Sequence, residues 1–424
     1  MTATRAQDHD CFAIGAPGLE RIMAGELAAL GLRPDAIEPG GVAFRAGREG
    51  LYTANLHLRT ASRVVVRVAS FPARAFHELE RRARRVEWER WAAAGALPRF
   101  RVTCRKSRLY HSDAVAQRLA EALARRVGGG DIGAAGRAAA VARATADEDD
   151  EDDGETDGEG SGEGGAGPLF IVRVARDVVT ISADSSGQLL HRRGYRQALA
   201  RAPLRETLAA GLLLAAGYDG SVPLLDPLCG SGTIPIEGAL IARRIPPGLA
   251  GREDGEWAAD GVRGARDFAF VHWPDFDAGA WRRVVERAVE QMRPHAPMPI
   301  HGSDRDEGAI AAATANAERA GVAGDVVFAR RALSAIEPPA GAPGLIAANP
   351  PYGVRVGDPG ALRDLFARFG QVARARFPGW TVALLSAEER LDAQLRLPLD
   401  ELLRTTNGGI FVRVVRARIP ALPE

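Results

Sequence analysis

The tetrapeptide Asn349-Pro350-Pro351-Tyr352, which directly follows a short apolar run, is the segment whose residue types indicate a chemistry most clearly. The prolines fix the backbone and remove N–H donors, so carbonyl oxygens there are free to accept hydrogen bonds. Asn349 adds a side-chain amide oxygen, and Tyr352 offers a flat ring on which a base can stack. Asn349, Pro350 and Tyr352 are therefore candidate catalytic residues; a rigid turn without chemistry is the alternative.

Such a set of acceptors suits a planar amine, which is a poor nucleophile because its lone pair is delocalised into the ring. Accepting both amine hydrogens, through the Asn349 side chain and the Pro350 carbonyl, would direct that lone pair towards a methyl donor. Positioning would then supply most of the rate enhancement, and no carboxylate or histidine base is required.

A glycine-rich turn lies upstream, where an apolar strand ends in Asp226 and Gly230-Ser231-Gly232 leads into a helix. Glycines let a ligand approach the backbone closely, and the helix amino terminus offers unpaired N–H groups. The spacing is neither that of a P-loop nor G-x-G-x-x-G, so no phosphate cradle is implied. Asp226, Gly230 and Gly232 are candidate cofactor-binding residues, and an ordinary strand–helix turn remains the alternative.

Asp304 is predicted to lie at the tip of the next strand, where a carboxylate can accept hydrogen bonds from ribose hydroxyls. Asp306 is placed to cap the following helix, although a ligand role is also open to it. The histidines show no metal-ligand spacing, so we expect no metal site.

Strands that alternate with helices after Gly194 predict a parallel, doubly wound α/β sheet with its ligand at the carboxyl ends of the strands. Residues 410–419 alternate like a strand at the edge of that sheet. The stretch 245–277 is mostly irregular; a cofactor cover, an RNA contact and a partly ordered spacer all remain open. Within it, His272 and Trp273 suit packing as well as ligand binding.

The first half of the chain has shorter strands and helices, which predict one or two small α/β modules with basic faces. Helices are predicted over 18–31, 76–94 and 113–126, the last capped by Asp113, with 62–69 among the strands.

The net charge of +1 hides a basic protein, because eleven acids and no bases lie between Asp147 and Glu163. Without that stretch, 43 acidic residues face 55 basic ones, a balance that favours a polyanion such as nucleic acid. An Arg-rich proteome is the other explanation, because Lys106 is the only lysine. The acidic run, 147–167, cannot bury apolar surface and is predicted to be a disordered insertion, either a solvated one or a mimic of RNA.

The 424 residues predict two or three domains. The longest apolar stretch is too short to cross a bilayer, and the first dozen residues lack the pattern of a signal peptide. Three scattered cysteines exclude a disulfide framework. We therefore expect a cytoplasmic protein without a membrane partner.

Five segments in this order resemble the THUMP-domain RNA guanine-N2 methyltransferases, class I enzymes that use S-adenosyl-L-methionine: PGLERIMAGEL, LHRRGYRQA, APLRETLAAGLLL, LLDPLCGSGTIPIEGALIA and ANPPYG. The likeness is strongest to the bacterial family that makes N2-methylguanosine in 23S ribosomal RNA. It implies a ferredoxin-like domain over 1–70, an RNA-binding THUMP domain over 71–190 and a Rossmann-like methyltransferase domain over 191–424.

The resemblance also implies that Gly230, Gly232 and Asp226 surround the cofactor, with Asp304 on its ribose. Asn349, Pro350 and Tyr352 would hold the target base. The family implies further that Arg205 and Glu206 lie close to the catalytic cleft.

Two positions depart from the family pattern. Ala332 stands where relatives carry an acid near the adenine amine, and Val354 replaces a common glutamate after the tetrapeptide. Adenine would then be held through backbone groups.

The leading hypothesis is an RNA guanine-N2 methyltransferase, with ribosomal RNA ahead of transfer RNA as the partner. A DNA adenine-N6 methyltransferase is a second enzyme hypothesis, because the tetrapeptide also suits that amine. A catalytically idle RNA-binding factor is the hypothesis from another class.

Overall fold

A computed structural model describes residues 8–128, 167–196, 204–250, 266–352 and 359–421. These residues form two seven-stranded sheets, one from each half of the chain, flanked by helices. The acidic run from Asp147 to Glu163 and the departure at Val354 lie outside the described residues. The prediction of an α/β fold is confirmed.

The front sheet is mostly antiparallel and has the strand order β2-β3-β1-β4-β7-β6-β5; among its pairs, β5 and β6 run parallel. Its strands are β1 (His9–Gly15), β2 (Pro34–Glu38), β3 (Gly41–Ala46), β4 (Ala61–Pro72), β5 (Arg99–Arg105), β6 (Leu169–Ala175) and β7 (Val178–Asp184). Four helices accompany it: α1 (Glu20–Ala29), α2 (Arg48–His57), α3 (Phe76–Ala83) and α4 (Ser112–Arg126). The long strand β4 pairs with both β1 and β7, so it joins the first three strands to the last three.

Two local predictions for this half were wrong. The helix predicted over 76–94 ends at Ala83, because the buried Trp88 folds back and donates its indole N–H to the Ala83 carbonyl at 2.9 Å. Asp113 does not cap α4, because the helix already begins at Ser112. The residue at the cap position is His111, and its side chain makes no capping hydrogen bond. Asp113 therefore lies in the first turn, where a carboxylate favours the helix dipole instead.

The back sheet has the order β10-β9-β8-β11-β12-β14-β13. Its strands are β8 (Leu224–Asp226), β9 (Ile300–Asp304), β10 (Val326–Arg330), β11 (Leu345–Ala348), β12 (Thr381–Ser386), β13 (Asp400–Asn407) and β14 (Ile410–Arg418). Strands β8 to β12 are parallel, and β14 is antiparallel to both of its neighbours. The helices of this half are α5 (Glu206–Ala215), α6 (Thr233–Ala242), α7 (Ala278–Glu290), α8 (Glu307–Arg319), α9 (Pro359–Arg376) and α10 (Glu389–Asp392).

The doubly wound sheet is confirmed, but β14 is not the edge strand predicted for 410–419. It lies between β12 and β13. The sequence of β13, DELLRTTN, is too polar to stand out as a strand, yet it pairs with β14 along its length and takes the edge position.

The two halves share packing through the segment that follows residue 265. Trp281 of α7 is 1% exposed and packs edge-on against Tyr52 of α2, Phe268 and Phe270. Trp273 is also buried against the front half, whereas His272 is exposed and contacts Asp267. The described end of the irregular stretch is thus a packing element. No described helix is long and apolar enough to span a membrane.

Candidate functional site

The glycine-rich turn connects β8 to α6 and has a shape that requires glycine. Gly230 and Gly232 have φ of +50° and +85°, values that side chains rarely adopt. A Cβ on Gly232 would also lie 2.9 Å from the Ala313 Cβ of α8, whereas the space beside Gly230 is open. The turn therefore packs closely on α8 at one glycine and leaves room for a ligand at the other.

Asp304 lies beside this turn because β9 pairs with β8 in parallel. Its carboxylate accepts hydrogen bonds from the backbone N–H of Gly230 at 3.1 Å and of Asp306 at 3.0 Å. Each carboxylate oxygen can accept more than one hydrogen bond, so capacity for a ligand remains. Asp306 caps α8 by accepting from the Ala309 N–H, as its position predicted.

Asp226 is 1% exposed at the end of β8, where its carboxylate accepts from the Leu228 N–H at 3.0 Å. Burial, assisted by the nearby negative charge of Asp304, raises the pKa of Asp226 to about 8. A buried carboxylate of this kind favours a positively charged ligand, which would restore its ionised form.

Asn349 and Pro350 follow β11, which pairs with β8 on one side and β12 on the other. The carboxyl end of β11 is thus next to the glycine-rich turn. The Asn349 side-chain oxygen is buried and has no hydrogen-bond partner among the described residues. A buried acceptor without a partner is uncommon in folded proteins, and it marks a place where a donor from a ligand would be stabilised.

Tyr352 is half-buried, and its hydroxyl oxygen accepts a hydrogen bond from the side-chain amide of Asn407. Burial raises the pKa of Tyr352, so its hydroxyl is neutral at physiological pH. The ring is therefore held by Asn407 at the end of β13, a residue that no sequence signal singled out.

Two buried polar side chains near the turn were not predicted. Asn316 of α8 is fully buried and donates its amide N–H to the Ser231 carbonyl at 3.0 Å. It was detectable in principle, as the one amide in an alanine-rich helix. The Ser303 hydroxyl, next to Asp304, is buried without a hydrogen-bond partner among the described residues.

Glu206 begins α5 and is 1% exposed, with Arg196 3.5 Å from its carboxylate. Burial raises the pKa of Glu206 to about 7.

Ala332 lies two residues past β10 and is exposed, so it presents no carboxylate to a ligand. Within the described ranges, no three His, Cys, Asp or Glu side chains are grouped as a metal would require.

A parallel sheet with a glycine turn after its first strand, an acid after the second and Asn-Pro-Pro-Tyr after the fourth defines a methyltransferase fold and site. The chain belongs to the RMKL-like methyltransferase domain family, which it matches over residues 193–410. Residues 10–65 match the RlmL ferredoxin-like domain. The family resemblance and the fold class, ferredoxin-like in front and Rossmann-like behind, are confirmed.

Two curated relatives cover nearly all of the chain. A Synechocystis protein named "Putative RNA methyltransferase" is 32% identical over 96% of both chains. The "Ribosomal RNA large subunit methyltransferase K/L" of Methylococcus capsulatus is 31% identical over 96% of this chain but 50% of its own length. The chain thus spans about half the length of the K/L relatives.

Solved structures agree on the whole architecture. SMU.472, "a putative methyltransferase complexed with SAH", has a TM-score of 0.77 and 26% identity over 99% of both chains. A "predicted N6-adenine-specific DNA methylase" from Listeria monocytogenes has a TM-score of 0.77 and 29% identity over 98% of this chain and 97% of its own.

Proposed function

We propose that this protein transfers a methyl group from S-adenosyl-L-methionine to the exocyclic N2 amine of a guanosine in RNA. Ribosomal RNA is the preferred partner and transfer RNA the second, in keeping with the names of the curated relatives. The observation that carries the proposal is the buried Asn349 side-chain oxygen without a partner, beside the glycine turn. A protein with these partners would work in the cytoplasm.

The residues around the turn fit the cofactor. When bound, S-adenosyl-L-methionine supplies a methyl group activated by its attachment to a positively charged sulfur. Gly230 and Gly232 let the cofactor approach the backbone, and Asp304 would accept hydrogen bonds from its ribose hydroxyls. The buried Asp226 carboxyl has a raised pKa, and in its ionised form it would counter the cofactor's positive charge.

The base would be held on the other side of the same edge. The Asn349 oxygen and the Pro350 carbonyl would each accept one hydrogen of the target amine, which turns its lone pair towards the methyl group. Tyr352 would stack on the base, with its ring direction set by Asn407. The chain thus contributes positioning rather than a proton acceptor.

The front half would grip the RNA. Sixteen Lys or Arg face six Asp or Glu between Arg63 and Arg126, which favours a polyanion. We propose the division into a ferredoxin-like domain over 1–70, a THUMP domain over 71–190 and the methyltransferase domain over 191–424.

The test is to incubate the protein with labelled S-adenosyl-L-methionine and unmodified ribosomal RNA, and to identify the product nucleoside by mass spectrometry. We expect N2-methylguanosine. Asn349→Ala removes the amine acceptor, and we expect kcat to fall about 10²–10³-fold, the size found for single stabilising groups at active sites. Undiminished activity in Asn349→Ala would contradict the mechanism.

The same experiment separates the alternatives. N6-methyladenine formed in DNA would favour the second enzyme hypothesis, which the Listeria structure's description also raises. An idle RNA-binding factor would show no binding of S-adenosyl-L-methionine by calorimetric titration.

A further inference from the structure

A cleft of about 210 Å³ lies between the two halves of the chain. The front half contributes Arg63 of β4 and Arg101 of β5, and the linker to the back half contributes His191. The back half contributes Arg205 and Thr207 at the start of α5 and Thr406 near the end of β13. The cleft is distinct from the glycine turn, none of whose residues line it.

The lining of this cleft has one sign of charge. Arg63, Arg101 and Arg205 are positively charged, and none of the described residues that line it is acidic. Asp184 lies behind Arg63, with its carboxylate 2.6 Å from the guanidinium, and it also interacts electrostatically with Arg101. Burial, together with the guanidinium groups around it, Arg205 foremost, lowers the pKa of His191 to about 2. The imidazole is therefore neutral, in surroundings that repel a further positive charge.

The cleft lies close to Asn407, the residue that holds the tyrosine proposed to stack on the target base. Thr406 and Gly408 line it and flank Asn407, whose side chain holds the Tyr352 hydroxyl. Thr60, Ser62 and Thr207 also line it. The cleft and Tyr352 therefore both adjoin the turn between β13 and β14.

We infer that the cleft binds the sugar–phosphate backbone of unpaired RNA immediately adjacent to the target guanosine, with Arg101 and Arg205 contacting phosphates from opposite sides. This inference rests on the proposed function. Because residues of both sheets line the cleft, an RNA strand has to leave its duplex to enter it. Other proteins also recognise RNA in its unpaired form.

The experiment measures fluorescence anisotropy of a labelled, unpaired, guanosine-containing oligoribonucleotide at several salt concentrations. For Arg101→Gln and Arg205→Gln we expect the RNA Kd to rise about tenfold and the slope of log affinity against log salt to fall by about 0.7 each. Arg418→Gln is the matched control, because Arg418 is exposed at the end of β14 that pairs with Thr381, whereas the cleft residue Thr406 pairs with Phe411 near the other end of β14. It should leave the slope and the affinity unchanged.

Calorimetric titration with S-adenosylhomocysteine checks that the back half of the Arg101→Gln variant is intact. Because Arg101 belongs to the front sheet, this variant should bind S-adenosylhomocysteine as the wild type does. Photo-cross-linking of wild-type protein to RNA containing 4-thiouridine next to the guanosine tests the site without any variant. Cross-links in 189–191 or 205–208 would support the inference. Wild-type slopes in both cleft variants, or cross-links confined to other surfaces, would overturn it.

Failure of this inference differs from failure of the proposed function. If the wild-type protein makes N2-methylguanosine and both cleft variants keep the wild-type RNA Kd, the proposed function is supported and the cleft inference is refuted. A wild-type protein that makes none refutes the function, while anisotropy still reports whether the cleft binds RNA.

Discussion

The Asp226 carboxyl group shows how burial prepares a single residue for a charged ligand. It is 1% exposed, accepts one backbone hydrogen bond and lies close enough to Asp304 to feel its charge. The pKa of about 8 means that the carboxyl is mostly protonated at neutral pH when the site is free. A positively charged cofactor would favour the ionised form and so lower this pKa on binding.

Affinity for S-adenosyl-L-methionine should therefore depend on pH through Asp226. Binding releases a proton below about pH 8, so the affinity should rise as the pH rises towards 8 and level off above it. The measurement is calorimetric titration between pH 6 and pH 9, with the ratio of wild-type to Asp226→Asn affinity plotted against pH. The ratio removes the titration of the ligand's own amine, which is common to both proteins.

Glu206→Gln is the control for this experiment, because burial raises the pKa of Glu206 to about 7. The pH dependence should survive in that variant. A ratio that stays constant across the range would exclude Asp226 as the titrating group.

At the scale of elements, the hairpin of β13 and β14 positions Tyr352, the residue proposed to stack on the target base. Tyr352 follows β11, and two strands, β12 and β14, lie between β11 and β13 in the sheet. The Tyr352 hydroxyl nevertheless contacts Asn407 at the end of β13. The hairpin extends the parallel sheet by two antiparallel strands and so brings Asn407 above the site.

Asn407→Ala should lower kcat/KM for RNA about two- to tenfold, the range expected for one hydrogen bond. Tyr352→Phe removes the other partner of the same bond and should cost as much. Because both changes delete one interaction, the double variant should lose little more than either single variant. Steady-state kinetics of the three variants measure this, and additive losses would show that Asn407 does not act through Tyr352.

At the scale of the whole molecule, a buried polar network joins the two halves. Arg193 and Glu237 form an ion pair of 3.4 Å with both side chains 0% exposed, and Tyr195 donates its hydroxyl hydrogen to the same carboxylate. Arg193 also donates to the Arg59 carbonyl, while Arg59 donates to the Ile245 carbonyl after α6. The front half is therefore tied to the helix that follows the glycine turn.

Glu237→Gln keeps an acceptor for Tyr195 but leaves Arg193 as a buried, unbalanced charge. We expect a loss of about 3–5 kcal/mol in the free energy of unfolding, as for other broken buried pairs. Urea denaturation followed by circular dichroism measures this. Glu337→Gln, in the exposed pair with Arg376, is the control and should cost about 0–1 kcal/mol. Equal losses of unfolding free energy in the two variants would mean that the buried network does not stabilise the contact between the two halves.

Much of the site was predictable because its signals are local. Gly230 and Gly232 need positive φ, Asp306 needs to begin a helix, and Asn349 and Tyr352 need to follow a buried strand. Each of these requirements is met within a few residues along the chain. The roles of these residues toward cofactor and base stay predictions.

By itself, the sequence determined the five parallel strands β8 to β12 and the carboxyl-end positions of Asp226, Asp304 and Asn349, because periodicity and turn chemistry are local. Only the tertiary structure decided that 410–418 is an inner strand, that Asn407 reaches Tyr352, and that 266–290 packs on the front half. The same holds for the basic cleft. These features join residues far apart in the chain, and burial and pairing across that distance leave no local pattern.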